Sequence, residues 1–255
     1  GKEEFHETIR YFKVQLEKTG VDLRLNTKVN REQLEREGFE EVIVATGVVP
    51  RALKIEGSDA PQVLSYAEVL RGAPVGERVA VIGAGGIGFD VSEFLLKPPH
   101  QKQPQPLNEW QREWGVDPNV NYVSEGGMQP AEIHPPVRKI YLLQRKTTAL
   151  GAGLGKTSGW VHRAQLKKHA VRMLRGVQYK AVTTEGLWIE TAGHDQLLRV
   201  DTVVVCAGQE SVKDVMPQST EHTLANYHII GGAKLAAELD AKRAIREGAE
   251  LAASL

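Results

Sequence analysis

Cysteine is nearly absent: Cys206 is the only one in 255 residues. One thiol cannot close an internal disulfide, and it cannot build a thiolate metal site or an iron–sulfur cluster from this chain alone. The scarcity fits a reducing compartment. Net charge is also missing, because 32 Lys and Arg balance 32 Asp and Glu. Global electrostatics therefore give no pull toward nucleic acid or an anionic membrane. No run of roughly 20 apolar residues could span a bilayer. The opening Gly1-Lys2-Glu3-Glu4 has neither the basic nor the apolar region of a secretory signal. A cytoplasmic protein with no nucleic-acid or membrane partner and no metal site is expected.

The length suits one large α/β domain, or a domain plus part of another. Phe5, Ile9, Phe12 and Leu16 recur at spacings of four, three and four, which predicts a helix over 3–18 ended by Gly20. Val21, Leu23 and Leu25 alternate with polar residues, the period of a half-buried strand. A short polar helix is expected over Arg31 to Arg36. Glu41 to Val44 has a β-branched core that predicts a strand buried on both faces, ending in the small-residue turn Ala45-Thr46-Gly47. Pro50 and Pro61 mark a crossover, and Ser65 to Leu70 reads as a short helix.

Arg78 to Leu96 is the most informative segment. Gly83, Gly85 and Gly88 form GxGxxG, with Ala84, Gly86 and Ile87 between them, after the apolar run Val79-Ala80-Val81-Ile82. Ile87, Val91, Phe94 and Leu95 give the segment after the glycines a helical period. In that context the glycines match a dinucleotide-binding turn. Gly83 permits the bend, Gly85 lets a pyrophosphate reach N–H groups at the positive helix end, and Gly88 lets helix and strand pack closely. A glycine-rich turn that binds nothing is the plainer alternative.

The second strand, Lys139 to Leu143, ends in Gln144-Arg145-Lys146 instead of the carboxylate that would hold the ribose hydroxyls of NAD. Two cations there suit a 2′-phosphate, so the nicotinamide cofactor expected is NADPH; a solvated basic turn is the alternative. The interval between the glycines and this turn is long because residues 97–137 form a proline-rich insertion carrying Trp110 and Trp114 at helical spacing. Gly151 to Thr157 imitates a P-loop but is one residue short of GxxxxGK[ST]. It reads as a flexible loop that closes on NADPH, with Lys156 near a phosphate. Trp160, His162 and Arg163 begin the next helix, as cofactor neighbours or as a buried Trp with two solvated side chains. Val177 to Leu198 alternates like antiparallel strands. Val200 to Gly208 is a buried strand whose Ala207-Gly208 turn echoes Thr46-Gly47, which suggests two nucleotide sites. Cys206 reads as a buried small residue and not a nucleophile.

These residues resemble the C-terminal FAD- and NADPH-binding part of bacterial-type 2,4-dienoyl-CoA reductases, which are old-yellow-enzyme-related flavoproteins. The likeness rests on Gly1 to Phe5, Ala45-Thr46-Gly47-Val48-Val49-Pro50-Arg51, Gly85 to Asp90, Leu143 to Lys146, Gly153 to Thr157, Gly159-Trp160, His162-Arg163, Cys206 to Glu210, Ile230-Gly231-Gly232 and Glu238 to Ala241. It implies an α/β, glutathione-reductase-like architecture with two dinucleotide-binding regions. An NADPH-binding domain over 52–210 would be inserted between two pieces of an incomplete FAD-binding domain, 1–51 and 211–255. It further implies that NADPH passes a hydride to FAD. Electrons would then travel through a 4Fe-4S cluster to FMN in an N-terminal barrel domain missing from this chain, the partner expected. FAD contacts would fall on Ala45, Thr46, Gly47, Gly231, Gly232 and Ala233, and NADPH contacts on Gly83 to Gly88, Arg145 and Lys146. The resemblance places no residue of the substrate-reducing centre on this chain. Where the family has an Asp that holds the flavin's ribityl chain, Lys234 stands, and a lysine cannot accept that hydrogen bond. Another flavoprotein of the same group, or a non-catalytic nucleotide-binding module, remains the alternative.

Overall fold

The computed structural model describes residues 4–98, 105–119, 121, 126–218, 223–237 and 240–255. Gly1-Lys2-Glu3, Glu238-Leu239 and parts of the proline-rich insertion, Pro99 and Pro104 among them, lie outside the described residues. The chain divides into two compact units. One comprises 1–47, 102–110 and 211–255, and the other 48–101 and 111–210.

In the first unit, α1 (Phe5–Lys18) and α2 (Arg31–Glu37) precede β1 (Glu41–Val44). Asn30 caps α2 through a reciprocal capping box with Gln33. Val21 to Leu25 forms no strand. Alternation is necessary for a half-buried strand but not sufficient, because the backbone needs a ladder partner. Among the described residues none pairs with it, and Val21, Leu23 and Leu25 are 50%, 48% and 71% exposed. The apolar face of α1 is similarly uncovered, with Phe5 67% and Ile9 69% exposed. The expectation that β1 is buried on both faces also fails. Val42 and Val44 are buried, but Ile43 is 44% exposed, so β1 is a one-sided strand.

The second unit opens with β2 (Val48–Pro50), β3 (Val63–Ser65), α3 (Tyr66–Leu70), β4 (Arg78–Ile82) and α4 (Gly86–Leu96). After α5 (Leu107–Trp114), whose last residues belong to this unit, come β5 (Lys139–Leu143), α6 (Gly159–Lys168) and β6 (Arg172–Leu174). The meander β7 (Gln178–Thr183), β8 (Gly186–Thr191) and β9 (His194–Leu198) leads to β10 (Thr202–Val205) and β11 (Gln209–Ser211), which pairs with β2. Strands β3, β10, β4, β5 and β6 lie in that order in a parallel sheet. Both faces of this sheet are covered, which is why its strands read as unbroken apolar runs. Val79, Val81, Ile140, Leu142 and Val204 pack with Phe89 and Leu95 of α4 and Leu166 of α6. The alternate residues Ala80, Ile82, Leu143 and Val203 pack with Leu187, Ile189 and Leu198 of the meander. Phe89 is fully buried, and a side chain of that size contributes about 1.5–3 kcal/mol by leaving water.

The end of α5 is fastened to α6. The Lys168 ammonium donates to the carbonyl of Glu113 and lies 4.8 Å from the ring centre of Trp114, while Gln165 Nε2 donates to Glu113 Oε1 at 2.9 Å. Burial pulls the Lys168 ammonium below its ordinary range against the opposing pull of Glu113. The first unit closes with β12 (Asn226–Ile229), parallel to β1, followed by α7 (Gly231–Lys234) and α8 (Ala241–Ser254).

Candidate functional site

The glycines of the first motif occupy three distinct environments at the C-terminal edge of the sheet. Gly83 has φ of 108°, and a Cβ there would lie 2.5 Å from the carbonyl oxygen of Cys206. Both facts demand glycine. A methyl on Gly88 would overlap the carbonyl oxygen of Gly83, so this residue allows α4 to approach the turn. Around Gly85 and Gly86 a Cβ would meet nothing within 4 Å. The turn is tight below and open above, where Gly85 caps a helix whose first N–H groups have no partner within the helix and which presents the positive end of its dipole. Ala84 is buried and Ile87 half-buried beneath it. Such a cradle fits a dinucleotide pyrophosphate.

The basic turn stands one strand away and is built stiffly. The Gly83 N–H donates to the carbonyl of Leu143 at 2.9 Å, joining the glycine turn to the end of β5. Gln144 Nε2 donates to the carbonyls of Lys146 and Thr148 at 3.0 and 2.9 Å, holding the bend while Arg145 and Lys146 stay exposed. The Gln144 N–H bonds the carbonyl of Leu174 at 2.9 Å, and the Gly176 N–H bonds that of Lys146 at 3.1 Å. This clamp brings Arg175 beside the turn, a third cation that the sequence reading missed because β6 is too short to show a period. Burial raises the Tyr179 hydroxyl well above its ordinary range, and the nearby positive charge of Arg145 draws it partly back.

Lys156 is exposed on a loop that is anchored to the unit's core. Leu150 is buried, Leu154 packs on the core, and Arg163 Nη1 donates to the carbonyl of Gly151 at 3.1 Å. Trp160 is 59% exposed, so its reading as a buried Trp is overturned: it stands at the start of α6 without a core to enter. His162 Nδ1 lies 2.7 Å from Glu93 Oε1 and ties α6 to α4. Gly208 lies at the end of β10, where Arg51 donates to the carbonyl of Gln209 at 3.2 Å and pairs with Glu210 at 3.6 Å. The position of Arg51 across from Gly208 comes from the pairing of β2 with β11, which the sequence does not show. Cys206 is buried beneath Gly83, and burial pushes its thiol up to about 12.

In the first unit, Ala45, Gly47, Gly231, Gly232, Asp240 and Ala244 line a cleft of about 380 Å3. Thr46 Oγ1 donates to the carbonyl of Val212, and the Val212 N–H returns a bond to the carbonyl of Gly47 at 3.0 Å. The Gly231 N–H is spent on Glu247 Oε2 at 2.6 Å, Gly232 and Ala233 are buried, and Lys234 is exposed. These residues form one wall of this cleft. No second GxGxxG occurs in the sequence to hold a second pyrophosphate.

The sequence profile of the pyridine nucleotide-disulphide oxidoreductase family matches residues 3–230. The chain belongs to this family. Its fold is that family's α/β nucleotide-binding architecture, which implies FAD and NAD(P) binding. Lone Cys206 cannot supply the disulphide of the family's name.

Among relatives, a metal reductase of Desulforamulus reducens is 24% identical over 247 residues, covering 91% of this chain and 34% of that protein. A cinnamate reductase of Clostridium sporogenes is 24% identical over 233 residues, covering 91% of this chain and 29% of that protein. The chain thus spans about a third of the length of these oxidoreductase relatives. The solved structure of a 2-naphthoyl-CoA reductase superposes with a TM-score of 0.72 at 23% identity, covering 99% of this chain and 32% of that one. Thioredoxin reductase of T. acidophilum gives 0.55 at 15%, covering 84% and 64%. Among the described residues no helix is long and apolar enough to cross a membrane, and no group of His, Cys, Asp and Glu could hold a metal ion.

Proposed function

We propose that this chain is the NADPH-binding part of a flavoprotein reductase, with Gly83 to Gly88 cradling the pyrophosphate and Arg145 and Lys146 receiving the 2′-phosphate. The observation that carries the reading is the rigid basic turn at the end of β5, where an NAD-binding site would place a carboxylate. Arg145 offers a planar fork to a phosphate, Lys146 a point charge, and Gln144 fixes the backbone bend in advance, which lowers the ordering cost. Lys156 adds a cation from the neighbouring loop, and Gly208 lets a ligand approach the end of β10. Bound NADPH supplies a hydride, and FAD is the acceptor that the family implies.

FAD fits the present residues only in part. The cleft beside Ala45-Thr46-Gly47 and Gly231-Gly232-Ala233 can cover one side of a ring system, but Lys234 accepts no hydrogen bond and Glu247 already occupies the Gly231 amide. In this reading 1–51 and 211–255 are pieces of an FAD-binding domain around an NADPH domain of 52–210. A preceding segment, with the FMN and 4Fe-4S barrel, completes the enzyme. The uncovered apolar side chains of α1 and of Val21 to Leu25, and the threefold greater length of the relatives, support it.

The substrate of the full-length enzyme is proposed to be a 2,4-dienoyl-CoA on the motif resemblance alone; the cinnamate reductase among the relatives supports a reductase and no particular substrate. Arg145→Ala tests the cofactor assignment. It should weaken NADPH by about 1.5–3 kcal/mol and leave NADH nearly unchanged, because only the former loses a charged hydrogen bond. Equal weakening of both would remove Arg145 from the site.

A further inference from the structure

We propose that the second unit carries another anion site, at the opposite end of its parallel sheet, for a small phosphate-bearing ligand. There the starts of β4, β5 and β6 border a cleft of about 350 Å3, lined by Arg78, Arg138, Lys139 and Arg172 with Glu77 and His169. That volume lies at the small end of ligand pockets and suits a group of mononucleotide size or less.

Four permanent cations face one carboxylate, and two of the four are already engaged. Arg78 Nε donates to both oxygens of Asp201 at 3.1 Å, and Arg138 Nη1 donates to the carbonyl of Leu95 at 3.1 Å. Lys139 and Arg172 are different. Both lean on the buried ring of Tyr141, with Nζ 5.9 Å and the guanidinium carbon 5.6 Å from its centre. Among the described residues neither has a carboxylate partner. The ring holds two like charges at one cleft, and an oxyanion between them would relieve their repulsion. Both side chains are exposed, so the ring gives each only a weak preferred position beside the cleft, and the Arg172 fork matches two phosphate oxygens. His169 Nδ1 donates to the carbonyl of Gln165 at 3.0 Å, so the anion contacts fall to Lys139 and Arg172.

This cleft is separate from the proposed cofactor site. Arg78–Ile82 and Lys139–Leu143 run from one to the other, and five extended residues span about 15 Å. The nucleotide held at Gly83 to Gly88 would not be the ligand here.

The test is titration of the 15N-labelled chain with inorganic pyrophosphate at about 0.15 M salt, where exposed charges are screened beyond roughly 8 Å. Saturable shifts are expected at the amides of 138–141 and 169–173. In the double variant Lys139→Ala, Arg172→Ala affinity there should fall at least about tenfold, as loss of two charge-assisted contacts implies. The amide spectrum away from the cleft reports that the variant is folded. Shifts confined to the glycine and basic turns, a response that never saturates, or undiminished binding by the folded variant would each overturn the proposal.

Discussion

The glycines of the proposed cofactor turn differ in what surrounds them, and their substitutions should separate. A methyl at Gly88 meets the Gly83 carbonyl, so Gly88→Ala should destabilise the chain by about 1–3 kcal/mol, the usual range for overpacking, as read from urea unfolding. Gly85→Ala has open space above it, so its unfolding midpoint should barely move while nucleotide affinity falls. Similar stability losses in both would contradict this division. Cys206 gives a separate check. A buried thiol with its pKa pushed up to about 12 should resist a thiol reagent at pH 8 in the folded chain and react at once in denaturant. Rapid labelling of the native protein would show that the floor beneath Gly83 opens.

Elements are pinned at their ends by polar contacts, and the start of β4 offers a pH-dependent example. Arg78 holds the Asp201 carboxyl below its ordinary value of 3.8, first through its side-chain hydrogen bonds and then through its backbone N–H. A carboxylate lowered on folding stabilises the fold above its unfolded pKa, and that help fades as pH falls through the lower folded value. Asp201→Asn should therefore cost stability at pH 7, with the gap from wild type beginning to close as the pH falls below 3.8 and closing fully only through the lower folded value. A gap constant with pH would remove the ion pair from the explanation. At this scale much was legible in the sequence, but unevenly. The strand, turn and helix from Arg78 to Leu96 could be read because each signal is local: an apolar run, spaced glycines, then a helical period. The meander over 178–198 showed itself by alternation. Val21 to Leu25 misled because alternation says nothing of a partner strand, and the burial of Ile43 failed because it depends on what covers β1. The strands β3 and β6 are three residues each, too short for any period, so Arg175 could not be placed beside Arg145.

In the molecule as a whole, the proposed cofactor-binding positions of the second unit gather at one end of the sheet because parallel strands all deliver their C-terminal turns to the same end. Gly83, Gln144 and Gly208 follow three such strands. Sequence alone could name these turns; only the sheet order puts the glycine turn of β4 between those of β10 and β5. The first unit is less self-contained, with its apolar residues uncovered on α1 and at Val21 to Leu25. The most direct measurement is calorimetric titration of the purified chain with NADPH and then NADH at the same ionic strength. NADPH should bind at least about tenfold more tightly, the effect of roughly 1.4 kcal/mol from charged contacts to one phosphate. Equal affinities, or preference for NADH, would contradict the role assigned to Arg145 and Lys146.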